Sequence, residues 1–248
     1  MRFCLPEPQK RTGRPFTYIN AAISADGKLA PDDRVFLPFT SRFDHELLHL
    51  LRTRADAVLS GARTVSSGSV TMDSGGESFE LARLKAGRRP VLLKVIASGR
   101  AQLDPALPVF QNPSPRVLLL TTQAAKPADL ARLRPVLGDI HVSLGNAIDW
   151  VAAMRWLAEK HSLGSLVCEG GGEVNGAMIR SGLVDELYLT LAPVLFGGRD
   201  SPTLADGTSP RCLFEAASFK LKRAVRRGAE MYLSYVTVQD SSSPTSPG

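Results

Sequence analysis

The stretch Ser165-Leu-Val-Cys-Glu-Gly-Gly-Gly-Glu-Val-Asn-Gly176 constrains this chain more than any other. Leu166 to Cys168 read as a buried strand, and Val174, Ala177 and Met178 then keep helical spacing. Between them Gly170, Gly171 and Gly172 allow positive φ and let a ligand approach the backbone closely. A strand that runs through a glycine turn into a helix presents free N–H groups and the positive end of the helix dipole, which suits a phosphate. Glu169 falls at the carboxyl end of that strand, where open α/β sheets place their ligands. The same glycines also make a ligand-free turn, so the reading depends on the residues upstream.

Upstream, strand and helix patterns alternate. Residues 16–24, 57–60, 91–97 and 117–121 are apolar enough for strands, the last two for central parallel ones. Residues 43–54, 128–137 and 147–161 carry helical spacing. The first of these turns Phe43, Leu47, Leu48, Leu50 and Leu51 mostly to one stripe, with Ser41 or Thr40 as its cap. Residues 66–80, rich in Ser and Gly, read as a loop. Residues 184–195 alternate up to Pro193, and residues 219–225 and 231–238 flank Arg226-Arg-Gly-Ala-Glu230 as a hairpin. The expected class is α/β: a mainly parallel, twisted central sheet with helices on both faces and a C-terminal antiparallel hairpin. We expect one domain over residues 14–240, an N-terminal arm at 1–13 and a flexible polar tail at 241–248.

Composition excludes little. With 248 residues, 44% of them hydrophobic and 22% charged, the chain suits an enzyme or a binding module equally. No apolar run reaches membrane-spanning length and the N-terminus lacks a signal-peptide core, so no membrane partner is expected. Cys4, Cys168 and Cys212 form no CxxC pair, which points to a reducing, cytoplasmic setting and no zinc knuckle. The net charge of +6 is half explained by residues 1–14, where Arg2, Lys10, Arg11 and Arg14 face only Glu7. A basic tail on a mixed surface is weak support for nucleic-acid binding, and none is expected.

Three further turns could carry chemistry. Asn20-Ala-Ala-Ile-Ser-Ala-Asp-Gly-Lys28 ends a strand with Ser24, Asp26 and Gly27. Ser60-Gly-Ala-Arg-Thr64 ends another with a glycine and a hydroxyl, and Ser98-Gly-Arg100 adds an arginine able to clamp a phosphate. Singly each is an ordinary turn. Following strands of one parallel sheet, they would converge on one edge. Trp150 and Trp156 read as packing residues. His45 and His49 lie on the first helix, as packed or solvated residues, and no spacing suggests a metal.

In this combination and order the segments resemble the pyrimidine-reductase family of riboflavin biosynthesis, which has a dihydrofolate-reductase-like, three-layer fold. The matching residues are Ala22-Ile-Ser-Ala-Asp-Gly-Lys28, His49-Leu-Leu-Arg52 and Asp56-Ala-Val-Leu-Ser-Gly-Ala-Arg-Thr-Val65. Glu169-Gly-Gly-Gly172, Gly182-Leu-Val-Asp-Glu186 and Pro193-Val-Leu-Phe-Gly-Gly198 complete them. The resemblance implies an NADPH-dependent reductase that passes hydride to a ribosylamine or similarly polar heterocycle. It implies cofactor contacts from Ala22, Gly61, Thr64, Ser98, Arg100, Gly170, Gly171, Gly172, Glu173, Val174 and Asn175, with Arg100 on the 2′-phosphate. Glu169 and Asp26 would be the catalytic acids, and Asn20, Ser24 and Glu169 would bind substrate. It also implies a homodimer through sheet edges near the hairpin. No segment of the given sequence houses the zinc motif of a deaminase half, so deamination is expected elsewhere.

Three positions depart from the family pattern. Gly68 stands where an acid is expected, with Val70 where a proline usually follows. Leu47 falls near the place of a cation that can hold a substrate phosphate, leaving Arg42 or Arg63 to replace it. These departures keep two alternatives open: a reductase of another pterin-like substrate, and a dinucleotide-binding regulatory protein without turnover.

Overall fold

The computed structural model describes residues 4–33, 38–67, 70–111 and 117–238; Arg2, Gly68 and the tail at 241–248 lie outside them. Nine strands form one sheet: β1 (Phe16–Ser24), β2 (Ala57–Gly61), β3 (Leu93–Ala97), β4 (Val117–Thr122), β5 (Leu137–Ser143), β6 (Ser165–Cys168), β7 (Glu186–Ala192), β8 (Phe219–Arg227) and β9 (Glu230–Thr237). Their order is β5-β4-β3-β2-β6-β1-β7-β9-β8. The first seven in that order run parallel, and β9 pairs antiparallel with both β7 and β8. This is the mainly parallel sheet with a C-terminal hairpin that the sequence pattern implies.

Side chains alternate across the strands, so each strand feeds two cores. Tyr18, Val58, Ile96, Leu119 and Tyr188 face one side, where α1 (Arg42–Arg52) inserts Leu47 and Leu51. Ile19, Leu59, Val95, Leu120 and Leu166 face the other, against Met154 and Leu157 of α6 (Trp150–His161) and Met178 of α7 (Gly172–Arg180). Burying one such leucine contributes about 1.5–3 kcal/mol, so the two-sided run of apolar residues is what holds the layers together. The remaining helices are short: α2 (Ala62–Ser66), α3 (Glu77–Lys85), α4 (Pro108–Gln111) and α5 (Pro127–Leu133).

The structure corrects the sequence reading in three places. Residues 66–80 are not all loop, because α3 starts at Glu77; its buried residue is Arg83, which an apolar-periodicity argument passes over. The helix read over 128–137 ends at Leu133 and a single 3-10 turn, and the chain continues as β5. Pro135 in that turn has no N–H to extend the helix. Ser41 occupies the cap position of α1, but its side chain makes no cap bond. Its hydroxyl and N–H instead donate to the Glu230 carboxylate, both at 2.6 Å.

The arm is docked. Leu5 packs on the first core, and Arg11 and Arg14 both pair with Asp185, which precedes β7.

Candidate active site

Glu169 leaves the carboxyl end of β6, between β2 and β1, and its N–H donates to the Leu59 carbonyl at 2.9 Å. Strand pairing aligns Cys168 with both Leu59 and Ile19, so Glu169, Ser60 and Asn20 share the opposite face. Ala22 shares that face with its register partner Thr190, and so does Ser98 beyond β3. The sheet thus gathers residues from four separate turns along one edge, as the sequence reading expects. Asn20 and Ala22 are half-buried, and Ser98 is buried. The Ser60 hydroxyl is buried without a hydrogen-bond partner, an unmet polar group of the kind that a ligand satisfies.

Arg52, in the last turn of α1, meets Glu169 in a two-bond fork, Nε to Oε1 at 2.8 Å and Nη2 to Oε2 at 2.6 Å. Their side chains are only 7% and 12% exposed. Burial opposes the charge on Arg52, but the facing Glu169 carboxylate more than offsets it and holds its pKa above the ordinary arginine value. The third arm of the same guanidinium, Nη1, donates to the Asp73 carbonyl at 2.7 Å.

Asp73 belongs to a tightly specified loop. Its carboxylate accepts from the Thr71 hydroxyl and the Gly75 N–H, and the Ser74 hydroxyl donates to the Pro90 carbonyl. Met72 is fully buried with φ of +55°, a conformation that costs a non-glycine residue about 1–2 kcal/mol. Gly75, with φ of +92°, lies flat on His49: a Cβ there would sit 2.2 Å from Nδ1 of the ring. Burial, and then the charge of Arg52, lower the pKa of His49. Beneath this group the buried Arg83 donates to the carbonyls of Arg52 and Ala55, closing the C-terminal end of α1.

On the other side of Glu169 two helix starts meet. Gly171 precedes α7 with φ of +76°, and a Cβ on it would lie 2.9 Å from Thr64 Oγ1 on α2. A Cβ on Gly61 would press on Val174 at 3.0 Å. The first-turn N–H groups of α7 have no intrahelical acceptors. The glycines let the turn pack closely, since a Cβ on Gly170 would lie 2.6 Å from Val174 Cγ1. The open α7 start and the unpartnered Ser60 hydroxyl fit a dinucleotide. Glu173 is exposed and pairs with Arg63, which also feels the charge of Asp206. Arg63 thereby offsets the two acids nearest the helix start. Arg100 is exposed beyond β3.

Several expected site residues have other tasks. Ser24 is fully buried; its hydroxyl donates to Asp26 at 2.6 Å and accepts from the Lys28 N–H, so its single proton is not available to a substrate. Asp26 accepts from Ser24 and from the N–H groups of Phe196 and Gly197, at 3.2 and 2.7 Å. These bonds, the Ser24 hydroxyl first, bring its pKa down to about 2, so that it clamps two loops as a carboxylate. Asn175 is buried and gives its amide to the Leu204 carbonyl at 3.1 Å, while Val174 packs on Gly61. Gly172 faces the segment 203–206, because a Cβ there would collide with Asp206 and the Thr203 carbonyl. The sequence reading passed over Arg52, Asp73 and the unpartnered Ser60 hydroxyl. Arg52 stood inside the quoted His49–Arg52 segment, and only its partner was missing.

Beyond Thr190 the row ends in another carboxyl group. Asp44 of α1 accepts from Thr40 and Thr190, and burial raises its pKa. Leu47, where a phosphate-binding cation was sought, is buried in the core at 2% exposure and offers no replacement.

Relatives share this architecture. A reductase named 2,5-diamino-6-ribosylamino-4(3H)-pyrimidinone 5′-phosphate reductase, from Archaeoglobus fulgidus, is 29% identical over 196 residues, covering 79% of this chain and 88% of its own. The protein of the same name from Methanothermobacter thermautotrophicus is 29% identical over 225 residues, covering 90% and 98%. Among solved structures, a pyrimidine reductase-like protein from Corynebacterium diphtheriae superposes with a TM-score of 0.75 at 23% identity, over 91% of this chain and 93% of that one. RibD of Acinetobacter baumannii superposes at 0.72 with 18% identity; this chain spans 59% of its length. The family model described as RibD C-terminal domain matches residues 15–233. With nearly the whole sheet inside that match, the chain belongs to the RibD C-terminal domain family.

Proposed function

We propose that this protein is an NADPH-dependent reductase of riboflavin biosynthesis, acting on a ribosylaminopyrimidine of the kind named for its relatives. The observation that carries the reading is the approach of Gly171 to Thr64, two residues along the chain from the Glu169 of the Arg52–Glu169 pair. Bound there, a reduced nicotinamide supplies hydride to an electrophilic C=N or C=O carbon. The chain orients the two reactants and excludes water. The α7 start and Thr64 take the pyrophosphate, and Ser98 and Arg100 the adenosine end. Glu169, Asn20 and Ala22 line the reacting ends. Titration with NADPH and NADH, followed by dinucleotide consumption with the relatives' substrate, tests this reading. Micromolar NADPH binding with turnover supports it, and absence of binding overturns it.

A second reading rests on Leu47 and Asp44. A buried leucine takes the place of the expected cation and the carboxyl of Asp44 closes the row, which favours a pterin-like or unphosphorylated substrate over a phosphorylated one. Comparing turnover of the phosphorylated and dephosphorylated compounds separates the two. Tight NADPH binding with no turnover of either would assign a regulatory role instead.

The protein is further proposed to be a cytoplasmic homodimer that binds neither nucleic acid nor membrane. Leu213, Phe214 and Leu221 are exposed on or near β8, which supports pairing of two copies there. Arg11, Arg14 and Lys222 are already paired with acids, which argues against a nucleic-acid surface. Among the described residues no helix is long and apolar enough to cross a membrane. Light scattering on the eluted protein and a DNA titration at two salt concentrations test these points.

A further inference from the structure

We propose that Arg52 is the positioning residue of the site, a single guanidinium that holds Glu169 and the loop Val70–Gly76 as one unit. The inference rests on the reductase reading for its kinetic consequence, but its structural half stands apart from it. Two of the nitrogens of Arg52 grip both oxygens of Glu169, and the third grips the Asp73 carbonyl. A carboxylate held by two parallel bonds cannot rotate about its last torsion without breaking both, so the fork fixes where the remaining lone pairs of Glu169 point. The loop cannot leave without taking a hydrogen bond from the same guanidinium.

Each end of the link is itself braced. Arg83 holds the backbone carbonyl of Arg52 at 2.6 Å, which fixes the residue that carries the fork. The loop presents the Asp73 carbonyl by placing Met72 in a left-handed conformation and Gly75 against His49. A strained backbone of this kind persists where its surroundings over-determine it. Lysine at position 52 would keep the charge, but a point cation cannot make the planar fork and reach the loop together.

The test uses the full chain with Arg52→Lys, Arg52→Gln, Glu169→Gln and the double variant R52Q/E169Q, which removes both charges and leaves none unpaired. Kinetically, R52K and R52Q should lose on the order of 100-fold in kcat, the penalty for a misplaced reacting group, with NADPH affinity nearly unchanged. The double variant should be no slower than E169Q alone, because the two residues act as one unit. A kcat for R52K equal to wild type, or losses that multiply in the double variant, would overturn the proposal. Hydrogen exchange supplies the second readout, independent of cofactor: both R52Q and E169Q should speed exchange of the amides at 72–76, while α6 keeps its protection. Unchanged loop exchange in both variants also overturns the coupling. A wild-type protein that binds no NADPH would defeat the functional reading alone, and exchange would still decide the structural link.

Discussion

Arg14 and Asp185, 171 positions apart, form a two-bond fork at the amino end of the sheet, Nη1 to Oδ2 at 2.7 Å and Nη2 to Oδ1 at 2.8 Å. The same carboxylate accepts from Arg11 and from the Thr17 N–H. One acid therefore ties the arm, β1 and the start of β7 together. Its side chain is 3% exposed, so removing it leaves buried donors without acceptors. Asp185→Ala should cost about 3 kcal/mol. In a thermal melt this appears as a fall of about 6–12 °C. A shift under 2 °C would show the arm to be incidental.

Gly171→Ala should weaken NADPH binding at least about tenfold while the protein stays folded. The added Cβ would lie 2.9 Å from Thr64 Oγ1 at a residue whose φ is +76°. Gly171→Val adds branching and should abolish binding. Fluorescence titration alongside circular dichroism separates lost binding from lost fold, and unchanged affinity would remove the glycine turn from the site.

Asp26→Asn should change kcat less than threefold, because Asp26 serves as an acceptor for Ser24, Phe196 and Gly197 and an amide oxygen retains part of that role. Asp26→Ala should raise KM more than it lowers kcat by freeing the loop at 193–198. A large kcat loss in Asp26→Asn would instead mark it as a catalytic acid. Its pKa of about 2, against 3.8 unfolded, means the clamp is complete above pH 4 and is lost as pH falls toward 2.

His49 should make stability fall with acidification. Its folded pKa lies below the ordinary imidazole value of 6.5, so between the two values the unfolded chain binds more protons, and stability drops as pH falls through that window. Melting temperatures from pH 7.5 to 5 should decline in wild type and less steeply in His49→Leu. Parallel slopes would show that the ring is protonated without penalty.

The strands and the site edge were legible because their signals are local. Residues 16–24 announce β1 by their mostly apolar character, and Gly170–Gly172 announce the α7 start by composition. β5 was not legible: among the described residues it is an edge strand paired with β4 alone, and Gly138, Asp139 and His141 break up its apolar pattern. α3 was hidden for a similar reason, since its buried contact is the polar Arg83.

Sequence alone determined most of the order of strand and helix, β5 and α3 excepted, and the set of turns that converge, since the strands of a parallel sheet all end on the same edge. Tertiary structure decided what each polar side chain does there. Asp26 and Glu169 look alike as acids after strands, yet one is consumed by loop amides and the other faces Arg52 across 117 positions. Hydrogen bonds form by proximity in space, and no spacing along the chain encodes which donor an acid will meet.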